Sequence, residues 1–70
     1  MIRNKLSALM GERLVRISKL AKMTGLSRAT VTLIYYRKTK SIDFRTLDKL
    51  CEALNCNVED IIEYRRQKPE

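Results

Sequence analysis

A chain of 70 residues with a formal net charge of +7 has room for one small domain and no second. It is too short for the usual catalytic architectures, and its core must be modest, since a domain this size buries about 60% of its unfolded surface. No apolar run approaches the ~18 residues of a membrane span, and the opening stretch carries Arg3, Asn4 and Lys5 instead of a signal-peptide core. The cytoplasm is the expected compartment.

Apolar residues recur at spacings of three and four and β-branched alternation is nowhere sustained. The expected fold is therefore all-α, a compact arrangement of five short amphipathic helices. The first is expected over about Arg3 to Arg13, with Leu6, Leu9 and Met10 inward. The second covers about Ile17 to Thr24 and presents Leu20 and Ala21 to the core. Gly25 follows it, where a residue of positive φ ends a helix without steric penalty. Ser27 is placed to cap a third helix, about Arg28 to Tyr36, whose inner side is Val31, Ile34 and Tyr35. After a polar, basic stretch from Arg37 to Ser41, Asp43 caps a fourth helix over about Phe44 to Asn55. Its stripe is Phe44, Leu47, Leu50, Cys51 and Leu54. Asn57 caps the last helix, about Val58 to Tyr64, with Val58, Ile61 and Ile62 inward; Glu59 and Asp60 suit the positive end of its dipole. The domain is expected to span residues 1–64, with 65–70 a flexible tail.

The charge is unevenly spread. Residues 1–42 hold ten basic side chains and one acid, Glu12, whereas residues 43–70 hold five basic and seven acidic ones. Positive charge gathered in one part of the chain points to a polyanion, with nucleic acid the first candidate and a merely solvated basic surface the plainer alternative. Two cysteines and no histidine cannot close a zinc site or build a Ser–His or Cys–His nucleophile. Cys51 reads as a small core residue, Cys56 as a residue at a helix end, and no disulfide is expected. Glu59, Asp60 and Glu63 read as a solvated helix face. No enzyme activity, metal, cofactor, membrane contact or small-molecule substrate is expected.

A helix, a short turn containing Gly, and a second helix make up the helix-turn-helix arrangement, in which the second helix enters the DNA major groove. Ala21 supplies the small side chain at the close approach, Gly25 makes the turn, Leu26 plugs it, and Val31 and Ile34 seat the second helix. These residues, with Thr24-Gly25-Leu26-Ser27, Leu47, Leu50, Ala53-Leu54 and Val58-Glu59-Asp60-Ile61-Ile62, resemble the Cro/C1-type (XRE-like) helix-turn-helix regulators over about residues 3–64. The resemblance implies a lambda-repressor-like, five-helix DNA-binding domain, usually a homodimer, acting on promoters, with a repressor the expected form. Three positions depart from the pattern. Met10 and Tyr35 stand where the family often has an Arg–Glu pair, Ile17 replaces a phosphate-contacting Gln, and Tyr36-Arg37 replaces Asn-Gly.

With Val31 and Ile34 inward, the outward positions of the third helix carry the expected base contacts. Arg28 can fork onto guanine O6 and N7, or else bind phosphate. Thr32 can bond a base edge or meet a thymine methyl, and Ala29 and Leu33 suit thymine methyls, Leu33 alternatively serving a core or dimer face. Expected phosphate contacts are Arg16, Lys19, Ser27, Tyr36, Arg37, Lys38 and Lys40, although Tyr36 can instead pack over the fourth helix and Ser27 is first a cap. Ile61, Ile62 and Tyr64 are expected to extend a dimer face. The competing reading is a protein-interaction module on the same scaffold, such as an antitoxin or anti-repressor, for which the basic surface is incidental.

Overall fold

The computed structural model describes residues 1–66; the remainder of the expected tail, 67–70, lies outside the described residues. The element order is β1 (Ile2–Asn4), α1 (Leu6–Arg13), α2 (Ile17–Thr24), α3 (Arg28–Tyr35), α4 (Phe44–Leu54), α5 (Val58–Ile61) and β2 (Ile62–Tyr64). Five helices stand close to the expected places, each ended by local chemistry. The Ser27 hydroxyl accepts from the Thr30 N–H at 3.1 Å and the Asp43 carboxylate from the Thr46 N–H at 2.8 Å. In both cases a side-chain oxygen satisfies a donor that the first turn of a helix leaves orphaned. Gly25 ends α2 at φ 76°, its N–H bonded to the Ala21 carbonyl at 2.9 Å.

The all-α expectation is corrected at both chain ends. β1 and β2 form an antiparallel two-stranded sheet that pairs Ile2 with Tyr64, Arg3 with Glu63 and Asn4 with Ile62. α1 therefore starts at Leu6, not near Arg3, and α5 stops at Ile61 instead of running to Tyr64. The reason is non-local: Ile62 takes extended backbone (φ −131°), and the Lys5 N–H donates to the Ile61 carbonyl at 2.6 Å, so the next residues find partners on the N-terminal strand. Arg65, expected to open the frayed tail, continues this pairing, since its N–H donates to the Met1 carbonyl and its carbonyl accepts from the Met1 ammonium.

Leu6, Met10, Leu20, Val31, Leu50 and Ile61 are fully buried, one from each helix and a second from α1. Each such side chain contributes on the order of 1.5–3 kcal/mol through removal from water. Two inward expectations fail. Phe44 is 89% exposed and Val58 46% exposed, each as the first residue of its helix, where the stripe continues but no neighbouring element among the described residues covers it. Conversely, Ile61 is buried in this chain's own core and is not available to a dimer face. Cys51 and Cys56 are free and half-buried against the core. Burial, then the neighbouring Cys51, pushes the Cys56 thiol above its ordinary value, which disfavours the reactive thiolate.

Candidate nucleic-acid interface

α2 and α3 are joined by a turn whose geometry is held from within. The buried Thr24 hydroxyl donates to the Leu20 carbonyl at 2.8 Å and accepts from the Leu26 N–H at 3.2 Å. Its single side chain thus ties the end of α2 to the start of the turn while leaving no buried polar atom unpaired. Val31 and Ile34 anchor α3 on the core, as expected. Together these contacts fix which face of α3 meets solvent.

That face carries Arg28, Ala29, Leu33 and Tyr36, all exposed, with Leu33 at 48%. Thr32 is half-buried, and its hydroxyl donates to the Arg28 carbonyl one turn back at 2.6 Å. What Thr32 offers outward is therefore a methyl group and an oxygen lone pair, not a hydrogen-bond donor. Ser27 is exposed, but its hydroxyl already donates to Thr30 Oγ1 at 2.9 Å besides capping α3. Arg16, Lys19, Arg37, Lys38 and Lys40 are all exposed.

Two clefts flank α3. A cavity of about 340 Å3 brings Arg16 and Ser18, from the start of α2, together with Arg28 and Tyr36. In the same place Tyr35 and Tyr36 pack edge to face, with centroids 4.9 Å apart at 75°, an arrangement that aromatic quadrupoles favour. Met10 is buried and Tyr35 packs on the core, so apolar contact occupies the positions where the resemblance implies an ion pair. Replacing a buried ion pair by packing is often neutral or stabilising. The second cleft, about 400 Å3, lies beyond the C-terminal end of α3. It is lined by Arg37 and Lys40 and by residues of β1, Arg3 and Asn4 among them.

The exit from α3 resolves the departure at Tyr36-Arg37. Arg37 adopts φ 61°, the left-handed conformation that glycine normally supplies. Its N–H donates to Ile34 O at 3.0 Å and that of Lys38 to Leu33 O at 2.9 Å, the paired bonds of a Schellman ending. The turn thus has the glycine geometry without glycine. Sequence reasoning also missed Asn4, whose amide donates to the Ile34 carbonyl at 2.8 Å and whose side-chain oxygen accepts from the Leu6 N–H. Asn4 caps α1 from outside it and ties β1 to the C-terminal turn of α3. Arg13, absent from every expected role, donates to the Leu54 carbonyl at the end of α4. A strand ending in Asn two residues before a helix is the only local signal for the first of these roles.

Among the described residues no helix is long and apolar enough to cross a membrane. The chain resembles an HTH-type transcriptional regulator of Bacillus subtilis, YozG, uncharacterized in its own right, at 30% identity over 60 residues. That match covers 86% of this chain and 71% of the relative. A crystal structure of a Bacteroides fragilis protein superposes with a TM-score of 0.79 at 24% identity, over 90% of this chain and all of the other, which establishes the fold. The sequence pattern of the Cro/C1-type HTH DNA-binding domain matches residues 5–67. With the helix-turn-helix seated as described and nearly the whole chain matched, the protein belongs to the Cro/C1-type helix-turn-helix DNA-binding family.

Proposed function

We propose that this protein is a transcriptional repressor that acts as a homodimer in the cytoplasm, laying α3 in the major groove of a specific duplex site. The observation that carries the reading is the outward face of α3, where Arg28, Ala29 and Leu33 stand exposed, with one cationic cleft along the helix and a second beyond its C-terminal end. Arg28, Ala29, Thr32 and Leu33 meet the bases. Arg28 forks onto guanine, Ala29 and Leu33 meet thymine methyls, and Thr32 meets a methyl or a base amino donor. Arg16, Lys19, Tyr36, Arg37, Lys38 and Lys40 neutralise or bond phosphates, and Ser27 offers the backbone N–H at the N-terminus of α3.

One module of this size buries little DNA, so pairing on half-sites about one helical turn apart supplies the remaining affinity. The apolar ledge of Phe44, Val58 and half-buried Ile62 is the surface that serves such pairing, because no residue of α2 or α3 lines it and the groove-facing helix stays free. The reading is of a binding protein, with no chemistry assigned to its carboxylates.

Selection of bound duplexes from a random pool tests site preference, symmetry and spacing together. A twofold-symmetric consensus is expected. Recovery of a pool indistinguishable from the input would remove the proposal. Within the selected site, Arg28→Ala is expected to weaken binding by about 1–3 kcal/mol and to relax preference at one base pair.

A further inference from the structure

The cleft at the C-terminal end of α3 contains more than the basic loop that the sequence singles out. β1 forms its other wall. Arg3, Arg37 and Lys40 line it together with the hydroxyl-bearing Thr39 and Ser41. Neither ion pair of the described residues involves these three cations, since Glu63 is engaged by Lys5 and Arg65. Three like charges gathered in one concavity repel one another, and a concave, partly apolar wall focuses their field. Ile42 and Ile62 supply that apolar wall.

Arg37 adds a second observation. It holds a left-handed backbone at φ 61°, where glycine would sit without strain. Leu14 and Asn55 share this conformation at helix ends, and Arg37 is the one of the three that lines the cleft. The cleft is also held in fixed register with α3, through the Asn4 amide on the Ile34 carbonyl and the pairing of Met1 with Arg65.

We infer that this cleft is a phosphate site, and that Arg3 of β1 is one of its ligands. The eight residues of α3 span ~12 Å, close to the ~12 Å width of the B-form major groove. The cleft beyond the C-terminal end of the helix therefore faces one wall of the groove and brings Arg3, Arg37 and Lys40 to that backbone, while Arg16 lines the other cleft, which runs along α3 from Arg28 to Tyr36. At about 400 Å3 the cleft takes a phosphodiester with its flanking sugars, not just a bare ion. The sheet that closes the two chain ends thereby becomes part of the docking surface. The inference rests on the DNA-binding reading for the source of the phosphate, while the anion chemistry of the cleft stands on its own.

The test uses the full chain. Affinity for a selected duplex is measured by fluorescence anisotropy across a salt series for wild type, Arg3→Gln, Arg3→Lys and Lys49→Gln. In parallel, amide spectra of the free protein are followed on adding pyrophosphate. Loss of one phosphate contact is expected to lower the slope of log K against log salt by about 0.9 in Arg3→Gln. Arg3→Lys is expected to restore it and Lys49→Gln, on α4, to leave it unchanged. That result assigns the site to the DNA backbone. An unchanged slope in Arg3→Gln, with pyrophosphate shifts centred on Arg3, Ser41 and Ile42 that the substitution abolishes, assigns it to a free phosphorylated ligand. An unchanged slope without such shifts overturns the inference. If wild type prefers no duplex the proposed function falls, and the pyrophosphate arm still decides the cleft.

Discussion

The two turns that bracket α3 solve the same problem in opposite ways. Each must reverse the chain through one residue in the left-handed region. The entry turn uses glycine, at φ 76°, and reinforces it with a buried hydroxyl that bonds both of its sides. The exit turn uses arginine, at φ 61°, with main-chain bonds alone. The entry turn sets the angle between the two helices of the motif, so the sequence there favours rigidity. The exit turn lies on the cationic rim, where Arg37 adds a charge that glycine lacks. The same backbone geometry is thus relaxed where it sets the helix angle and strained where the proposed function gives the side chain a phosphate to meet.

The largest effect is expected at Thr24. Thr24→Val keeps the shape but leaves the half-buried Leu26 N–H without its side-chain partner, and an unsatisfied donor withdrawn from water costs about 1–3 kcal/mol. Denaturant unfolding should report the loss. An unchanged midpoint would show that the hydroxyl is replaceable by water and that the entry turn is not held from within. Next comes Gly25→Ala. Nothing lies within 4 Å of a Cβ added there, so the expected loss of about 1–2 kcal/mol is backbone strain alone. A larger loss would point to crowding in place of conformation.

Arg37→Gly inverts the sign. Relief of the left-handed strain is expected to stabilise the fold by up to about 1 kcal/mol, while removing a cation from the rim weakens duplex binding and flattens its salt dependence. Thermal unfolding and anisotropy on the same samples should move in opposite directions. If both fall, Arg37 stabilises the loop through contacts of its own and the contrast between the turns collapses.

How much of this was legible follows from the range of each signal. Leu20 with Ala21, Val31 with Ile34, and Leu47, Leu50 and Leu54 repeat at helical spacing, and that pattern needs only neighbours in sequence. It places the helix-turn-helix and most of the core. Phe44 and Val58 obey the same spacing yet stand exposed, because periodicity reports a face and not whether another element lies opposite it. The strands escape for two reasons. Three residues are too few to display alternation, and the partner of Asn4 is Ile62. In the sequence Arg3 is a charge and not part of a site, since its approach to Arg37 and Lys40 exists only after that pairing forms. Helix phase alone puts Arg28, Ala29 and Leu33 outward, and all three are exposed.

The smallest effect separates the two turns by pH. The entry connection ends on Ser27, a neutral cap, and the exit connection on Asp43, an ionisable one. Hydrogen bonds from the Thr46 side chain and backbone, aided by Arg45 and Lys49, hold the Asp43 carboxyl below its ordinary value of 3.8. A depressed folded value means that the cap's contribution is complete above the ordinary one and is lost as pH falls through the folded one. Acid should therefore loosen the start of α4 while leaving the start of α3 unchanged. Amide exchange at Thr46, corrected for its intrinsic pH dependence, should accelerate relative to that at Thr30 as pH drops below about 3.8, the ordinary value. Asp43→Asn should remove the difference, because asparagine caps without titrating. Equal acid sensitivity at Thr30 and Thr46 would mean that the two ends of α3 respond as one unit, and that Asp43 caps α4 without governing it.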